Sequence, residues 1–161
     1  MPPRMNNALT EDNEQGMFVT MFIGLINLDS GKMIFCNAGH NPPVRMTKKG
    51  EDPVGARGAD FIDVLSNAPI GLFPGIDFEG ESIDNIKETP LFLYSDGLNE
   101  AEDKHQKQFG DDQILNILRF THFENAQQVV EKMNAEVEKH RNGADPNDDL
   151  TMFCLLVKDA I

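Results

Sequence analysis

Apolar residues fall into short runs and alternations through the first two thirds of the chain, and into helical spacing only afterwards. Met17 to Leu28, MFVTMFIGLINL, is apolar on both faces and rich in β-formers, which predicts a central strand covered on each side. Asp29-Ser30-Gly31 supplies hairpin chemistry, so Lys32 to Asn37 should return as the next strand. Ala38 to Pro43, AGHNPP, breaks regular structure: Gly39 frees the backbone, while Pro42 and Pro43 restrict it. A further short strand is expected over Val44 to Thr47, ahead of a polar loop from Lys48 to Gly58. Phe61 to Leu65 alternates as a half-buried strand. Ala68 to Gly80 should be an ordered loop anchored by Ile70, Leu72 and Phe73, and Glu81 to Ile86 alternates again with Ile83 inward.

Pro90 to Tyr94 then runs as a short buried strand into Ser95-Asp96-Gly97, a tight turn with a carboxylate at its mouth. Helical signals follow. Asp111 or Asp112 can cap a helix whose apolar face carries Ile114, Ile117 and Leu118. Asn125 can cap a longer one, with Ala126, Val129, Val130, Met133 and Val137 at helical spacing and an end near Gly143. Thr151 to Val157, TMFCLLV, is apolar on both faces and predicts another central strand. Residues 1–16 are polar with two early prolines and read as a loose lead-in remnant, leaving 17–161 as one domain. Strands, then two helices, then a strand define an α+β domain with helices on at least one face of an antiparallel sheet.

Composition narrows the classes of function. A chain of 161 residues, 40 % apolar and 25 % charged, supports one globular core. A net charge of −13 opposes nucleic-acid backbones and anionic membranes as partners. No run reaches the roughly 18 apolar residues of a transmembrane helix, and the N-terminus lacks a signal-type apolar core. Cys36 and Cys154 lie in apolar runs and read as small buried hydrophobes, so a cytoplasmic location is expected.

Two acidic sites could carry chemistry. Asp96 follows one buried strand; Asp145-Pro146-Asn147-Asp148-Asp149 precedes another. If those strands are antiparallel neighbours, both clusters fall at one end of the sheet, where hard divalent cations find oxygen ligands. The competing readings are a plain Asp-Gly turn and a solvated acidic turn. A calcium-hand loop starting at Asp145 fails, because Leu150 stands in place of the required Gly and Leu156 in place of the closing Glu. His105, His122 and His140 lack ligand spacing and read as surface residues. His40 either hydrogen-bonds its own turn backbone or lines a site.

Three blocks together carry a resemblance: FVTMFIGLINLDSGKMIFCNAGHNPPV, then PIGLFPG with LFLYSDGLNEAED, then DDLTMFCLLV. In that order, over residues 17 to 157, the chain resembles the SpoIIE/RsbU-type branch of the PPM (PP2C-like) metal-dependent serine/threonine phosphatases. The resemblance implies a PP2C-like β-sandwich flanked by helices. It also implies a phosphoserine/phosphothreonine protein phosphatase whose two Mn²⁺ or Mg²⁺ ions activate a water for in-line attack. It places metal ligands at Asp96 and Asp148. Gly97, Asp149, His40 and Asn41 fall at positions that support or line the site. The implied partners are a phosphorylated STAS-type anti-anti-sigma protein and an upstream sensor or receiver module. A non-catalytic phosphatase-like binding module is the alternative.

The chain departs from the family pattern in one respect: the N-terminal GD-x-x-D block and the second acidic block that precede the matched region are not in it. MNNALTEDNEQG resembles the tail of the helix and loop before the first matched strand. The expectation is therefore a C-terminal part of the domain, inactive and weakly metal-binding by itself. Its bared apolar sheet face would favour a homodimer.

Overall fold

The computed structural model describes residues 2–11, 13–47, 58–87 and 89–158. Along the chain they form α1 (Pro2–Thr10), β1 (Met21–Ile26), β2 (Met33–Ala38), β3 (Val44–Met46), β4 (Ala59–Phe61), β5 (Glu81–Ile83), β6 (Leu91–Tyr94), α2 (Asp96–Asn99), α3 (Asp111–Phe120), α4 (Ala126–Arg141) and β7 (Met152–Leu155). The chain divides into two compact units, Met1–Pro42 with Asp63–Ile86, and Pro43–Ile62 with Lys87–Ile161. Each holds one antiparallel sheet, ordered β1-β2-β5 in the first and β4-β3-β6-β7 in the second. The α+β class read from the sequence is the one observed.

In the first unit the β1–β2 hairpin closes as its turn residues predict. Asn27 Oδ1 accepts from the N–H groups of Asp29 and Ser30 at 3.0 and 2.9 Å, and Gly31 takes φ +77°. The MFVTMFIGLINL run is not a central strand, however. Only Met21–Ile26 is regular, and it is the sheet edge. Leu25 and Ile34, opposite each other in the register, are 75 % and 53 % exposed. An apolar run on both faces reports β propensity and says nothing about how many neighbours the strand has.

The opening segment is not a loose lead-in: residues 2–10 are helical. Asn6 of α1 is fully buried, donates to the Phe73 carbonyl at 2.9 Å and accepts from the Gly71 N–H at 2.9 Å. This amide, with the paired bonds between Val19 and Ile70, orders the 68–80 loop. Leu72 and Phe73 do not anchor it, for both are exposed; Ile70 is buried.

The second unit holds a continuous core of Val44, Met46, Phe92, Tyr94, Leu98, Ile114, Leu118, Val129, Met133 and Val137. The expected Phe61 to Leu65 strand lies two residues earlier, because β3 offers only three partners and pairs Val44 with Phe61 and Met46 with Ala59. Residues 48–57 of the expected polar loop lie outside the described residues. β6 is interior and buried, as its sequence predicts, but β7 is an edge strand with Phe153 exposed.

The helices follow their periodicity, with one correction at an end. Neither Asp111 nor Asp112 caps α3; Gly110 stands at that position, and Asp111 instead accepts the Tyr94 hydroxyl at 3.0 Å. Asn125 caps α4 as expected, accepting from the Gln128 N–H at 3.0 Å. The left-handed residue that ends α4 is Asn142, one before Gly143. The buried stripe of α4, Val129, Met133, Val137 and Arg141, recurs every four residues as one helical face requires.

Candidate metal centre

The two acidic sites meet because β6 and β7 are antiparallel neighbours, with Tyr94 opposite Met152. The exit of β6 and the entry of β7 then share one end of the sheet. Beyond Tyr94 the ladder is continued by Ser95. Its N–H donates to the Thr151 carbonyl at 2.9 Å, its hydroxyl donates to the Asp149 carbonyl at 3.1 Å, and the same oxygen accepts from the Thr151 N–H at 2.9 Å.

Asp96-Gly97 is more than a turn: Asp96 is the first residue of the one-turn helix α2. That helix is anchored by Leu98 and Ala101, both fully buried. Asp96 is exposed, and its carboxylate accepts no hydrogen bond among the described residues. Gly97 is buried against the 149–150 backbone. A Cβ there would lie 2.8 Å from the Asp149 carbonyl carbon and nearer still to its oxygen.

The loop leading into β7 is held from its other side by Asn147. Its amide donates to the Glu100 carbonyl at 3.0 Å, and its Oδ1 accepts from the Glu102 N–H at 3.3 Å. Asp148 is exposed, and its Oδ1 accepts from the Asp149 N–H at 2.7 Å. Asp149 contributes its carbonyl to the contact with Ser95 and Gly97. Thus Asp96, Gly97, Asp148 and Asp149 come together in the second unit.

His40 and Asn41 belong to the first unit. The 37–40 turn is held by the buried Asn37, which donates to the His40 carbonyl at 2.8 Å and accepts from its N–H at 3.2 Å. The Nδ1 of the His40 ring lies 3.4 Å from Thr20 Oγ1. Gly39, at φ +70°, sits against the Pro69 ring, where a Cβ would clash. His140 is not a plain surface residue either. Its Nε2 is 2.8 Å from the Lys107 carbonyl, and its ring meets Phe109 edge-on. Cys36 and Cys154 form no disulfide; Cys36 is buried as expected and Cys154 is half-buried, and burial pushes the Cys36 thiol up from its ordinary value.

Sequence reasoning missed Ser95 and Asn147 as the residues that set this geometry, since a hydroxyl and an amide beside turn residues give no distinguishing signal. Among the described residues no group of three or more His, Cys, Asp or Glu side chains is poised around one metal position. The donor set nonetheless fits a hard divalent cation. Mg²⁺ is commonly held by one or two carboxylates with waters and phosphate oxygens completing the shell, and Asp96 offers an exposed carboxylate with no competing partner among the described residues.

The fold is similar to the PP2C phosphatase domain with a fragment of the regulatory domain of the cell fate determinant SpoIIE from Bacillus subtilis. That likeness has a TM-score of 0.70 at 21 % identity, over 92 % of this chain and 41 % of that one. It is also similar to RsbX in complex with magnesium, at a TM-score of 0.59 and 18 % identity, over 94 % of this chain and 60 % of that one. The architecture is therefore that of a PP2C-like phosphatase domain. The chain matches the Stage II sporulation protein E (SpoIIE) family over residues 3–158 and belongs to it. It is 27 % identical over 150 residues to Protein IcfG of Synechocystis sp. (strain ATCC 27184 / PCC 6803 / Kazusa), covering 91 % of this chain and 22 % of IcfG. The chain thus spans about a fifth of that relative's length. No helix among the described residues is long and apolar enough to cross a membrane.

Proposed function

We propose that this chain serves a metal-dependent protein serine/threonine phosphatase, in which Asp96 and Asp148 hold the divalent cations. The observation that carries the reading is the convergence of these two carboxylates at one end of the β6–β7 pair, in a chain of the SpoIIE family. Mn²⁺ or Mg²⁺ bound there would supply Lewis acidity and a water of lowered pKa for attack on phosphorus. Ser95 is the hydroxyl nearest in sequence, and it is committed in both directions, donating to Asp149 and accepting from Thr151. It is therefore no nucleophile, and water takes that role. The new P–O bond forms from water, the bond to the serine or threonine oxygen breaks, and that oxygen leaves with a proton. Two carboxylates alone fill a minor part of a six-coordinate shell, so cations held by them alone bind weakly.

The substrate in this reading is a phosphorylated regulatory protein in the cytoplasm, of the STAS anti-anti-sigma kind, with activity set by a sensor or receiver module. The test is hydrolysis of p-nitrophenyl phosphate and of a phosphorylated STAS protein by the full-length parent protein with Mn²⁺. Asp96→Asn and Asp148→Asn should each lose more than about 100-fold, beyond the loss typical of groups that merely support a ligand. Wild-type rates in both variants would refute the reading. Phosphoprotein binding without turnover in the unaltered protein would identify a non-catalytic module instead.

A further inference from the structure

We propose that Asn147 is a positioning residue that sets where Asp148 stands relative to Asp96; the inference rests on the metal reading above. The two carboxylates occupy bracketed places. Asp96 lies between Ser95, whose hydroxyl and N–H are tied to residues 149 and 151, and Gly97, pressed on the Asp149 carbonyl. Asp148 lies between Asp149, held by those same contacts, and Asn147.

Asn147 reaches the far end of α2, the helix that Asp96 begins. Its amide donates to the Glu100 carbonyl, and Glu100 in turn donates its own N–H to the Asp96 carbonyl at 2.9 Å. Its Oδ1 takes the Glu102 N–H, two residues beyond. The loop 147–151 is therefore fastened to both ends of a single helical turn, with Asp148 as the one residue between the fastenings. Without Asn147 the Ser95 side is the fastening to α2 that remains among the described residues, and Asp148 gains freedom to swing about it. A cation bridging two loops needs their separation fixed beforehand, because ordering them at binding subtracts from affinity. Asn147 touches neither the cation nor the substrate in this arrangement; it acts through Asp148.

The experiment is a Mn²⁺ titration read by the electron paramagnetic resonance signal of the free ion. It uses the unaltered protein, Asn147→Ala, Asp148→Asn and the double variant, alongside the melting temperature of each metal-free protein. The expected result is a Mn²⁺ dissociation constant raised about 10-fold or more in Asn147→Ala, the range typical of groups that orient a ligand. The metal-free melting temperature should stay within about 4 °C of the parent. Adding Asn147→Ala to Asp148→Asn should change the constant no further, because a group acting through Asp148 has nothing left to act on. An unchanged constant in Asn147→Ala, with Asp148→Asn weakened, overturns the positioning role and leaves the metal reading standing. Additive effects in the double variant overturn it also, since Asn147 would then act independently of Asp148. Unaltered affinity in Asp148→Asn overturns both.

Discussion

Gly97→Ala tests how tightly the two carboxylate loops are pressed together. The new methyl would sit 2.8 Å from the Asp149 carbonyl carbon and 3.3 Å from Leu150 Cα. Both are backbone atoms that cannot rotate aside. Carbon atoms rest at about 3.5–4.0 Å, so α2 and the 149–150 backbone must part by roughly 0.7 Å or more. The three bonds tying Ser95 to residues 149 and 151 are 2.9 to 3.1 Å long and would be stretched past useful length. Each is worth about 1 kcal/mol net, and overpacking of this kind costs about 1–3 kcal/mol. Against this stands the helical preference of Ala over Gly, about 1 kcal/mol in favour of the variant. The clash outweighs the propensity: three bonds at about 1 kcal/mol each, less about 1 kcal/mol of propensity, leave a net loss of about 2 kcal/mol. For a chain of this size that lowers the melting temperature by roughly 4–8 °C. The assay is thermal unfolding followed by circular dichroism, with Mn²⁺ affinity measured on the same samples; affinity should fall with stability. A melting temperature equal to or above that of the parent would show that propensity dominates, and the close packing of α2 on the loop would be refuted.

Two further predictions concern the core and the surface. Tyr94→Phe removes the hydroxyl bonded to the Asp111 carboxylate at 3.0 Å, at a cost of about 1.5 kcal/mol, the low end for a bond to a charged group. Burial first, and then the Asp111 charge, hold the Tyr94 phenol far above its ordinary value of 10.0. The folded state thus keeps a proton that the unfolded state releases as pH rises above that value, so this part of the stability is lost in the alkaline range. Urea titrations from pH 8 upward should show that alkaline decline diminished in Tyr94→Phe; an identical decline would refute the assignment. At the surface, the exposed pair Leu25 and Ile34 on an edge hairpin favours pairing with a second copy. The net charge of −13 opposes such pairing, so added salt should strengthen it. Light scattering should find a dimer that Leu25→Lys with Ile34→Lys dissociates, and a monodisperse monomer at high salt would sink this expectation.

The sequence was most legible where local chemistry and tertiary demand coincide. The β1–β2 hairpin, buried β6, the Asn125 cap and the stripe of α4 follow from turn residues, apolar runs and helical spacing. The same signals misled where the number of neighbours matters. Apolar runs gave β1 and β7 the look of central strands, and both are edges. Asp111 carried good capping chemistry, but the Tyr94 hydroxyl claimed its carboxylate. Residues 2–10 were legible as the tail of a helix only through the family resemblance, because what ties them in is a single buried amide, Asn6, acting across more than 60 positions.

Much the same division holds at the candidate centre. By itself the sequence determined the family and the strands that flank Asp96 and Asp148, since motif order and apolar patterning are written in consecutive residues. Only the tertiary structure decided that β6 and β7 are neighbours, which brings those carboxylates to one end. It also decided that Ser95, Gly97 and Asn147 tie the two loops to each other. The reason is physical: a hydroxyl, a missing Cβ and an amide gain their roles from backbone atoms some 45 to 56 residues away in the chain. No local pattern records which carbonyl a folded chain will bring within reach of them.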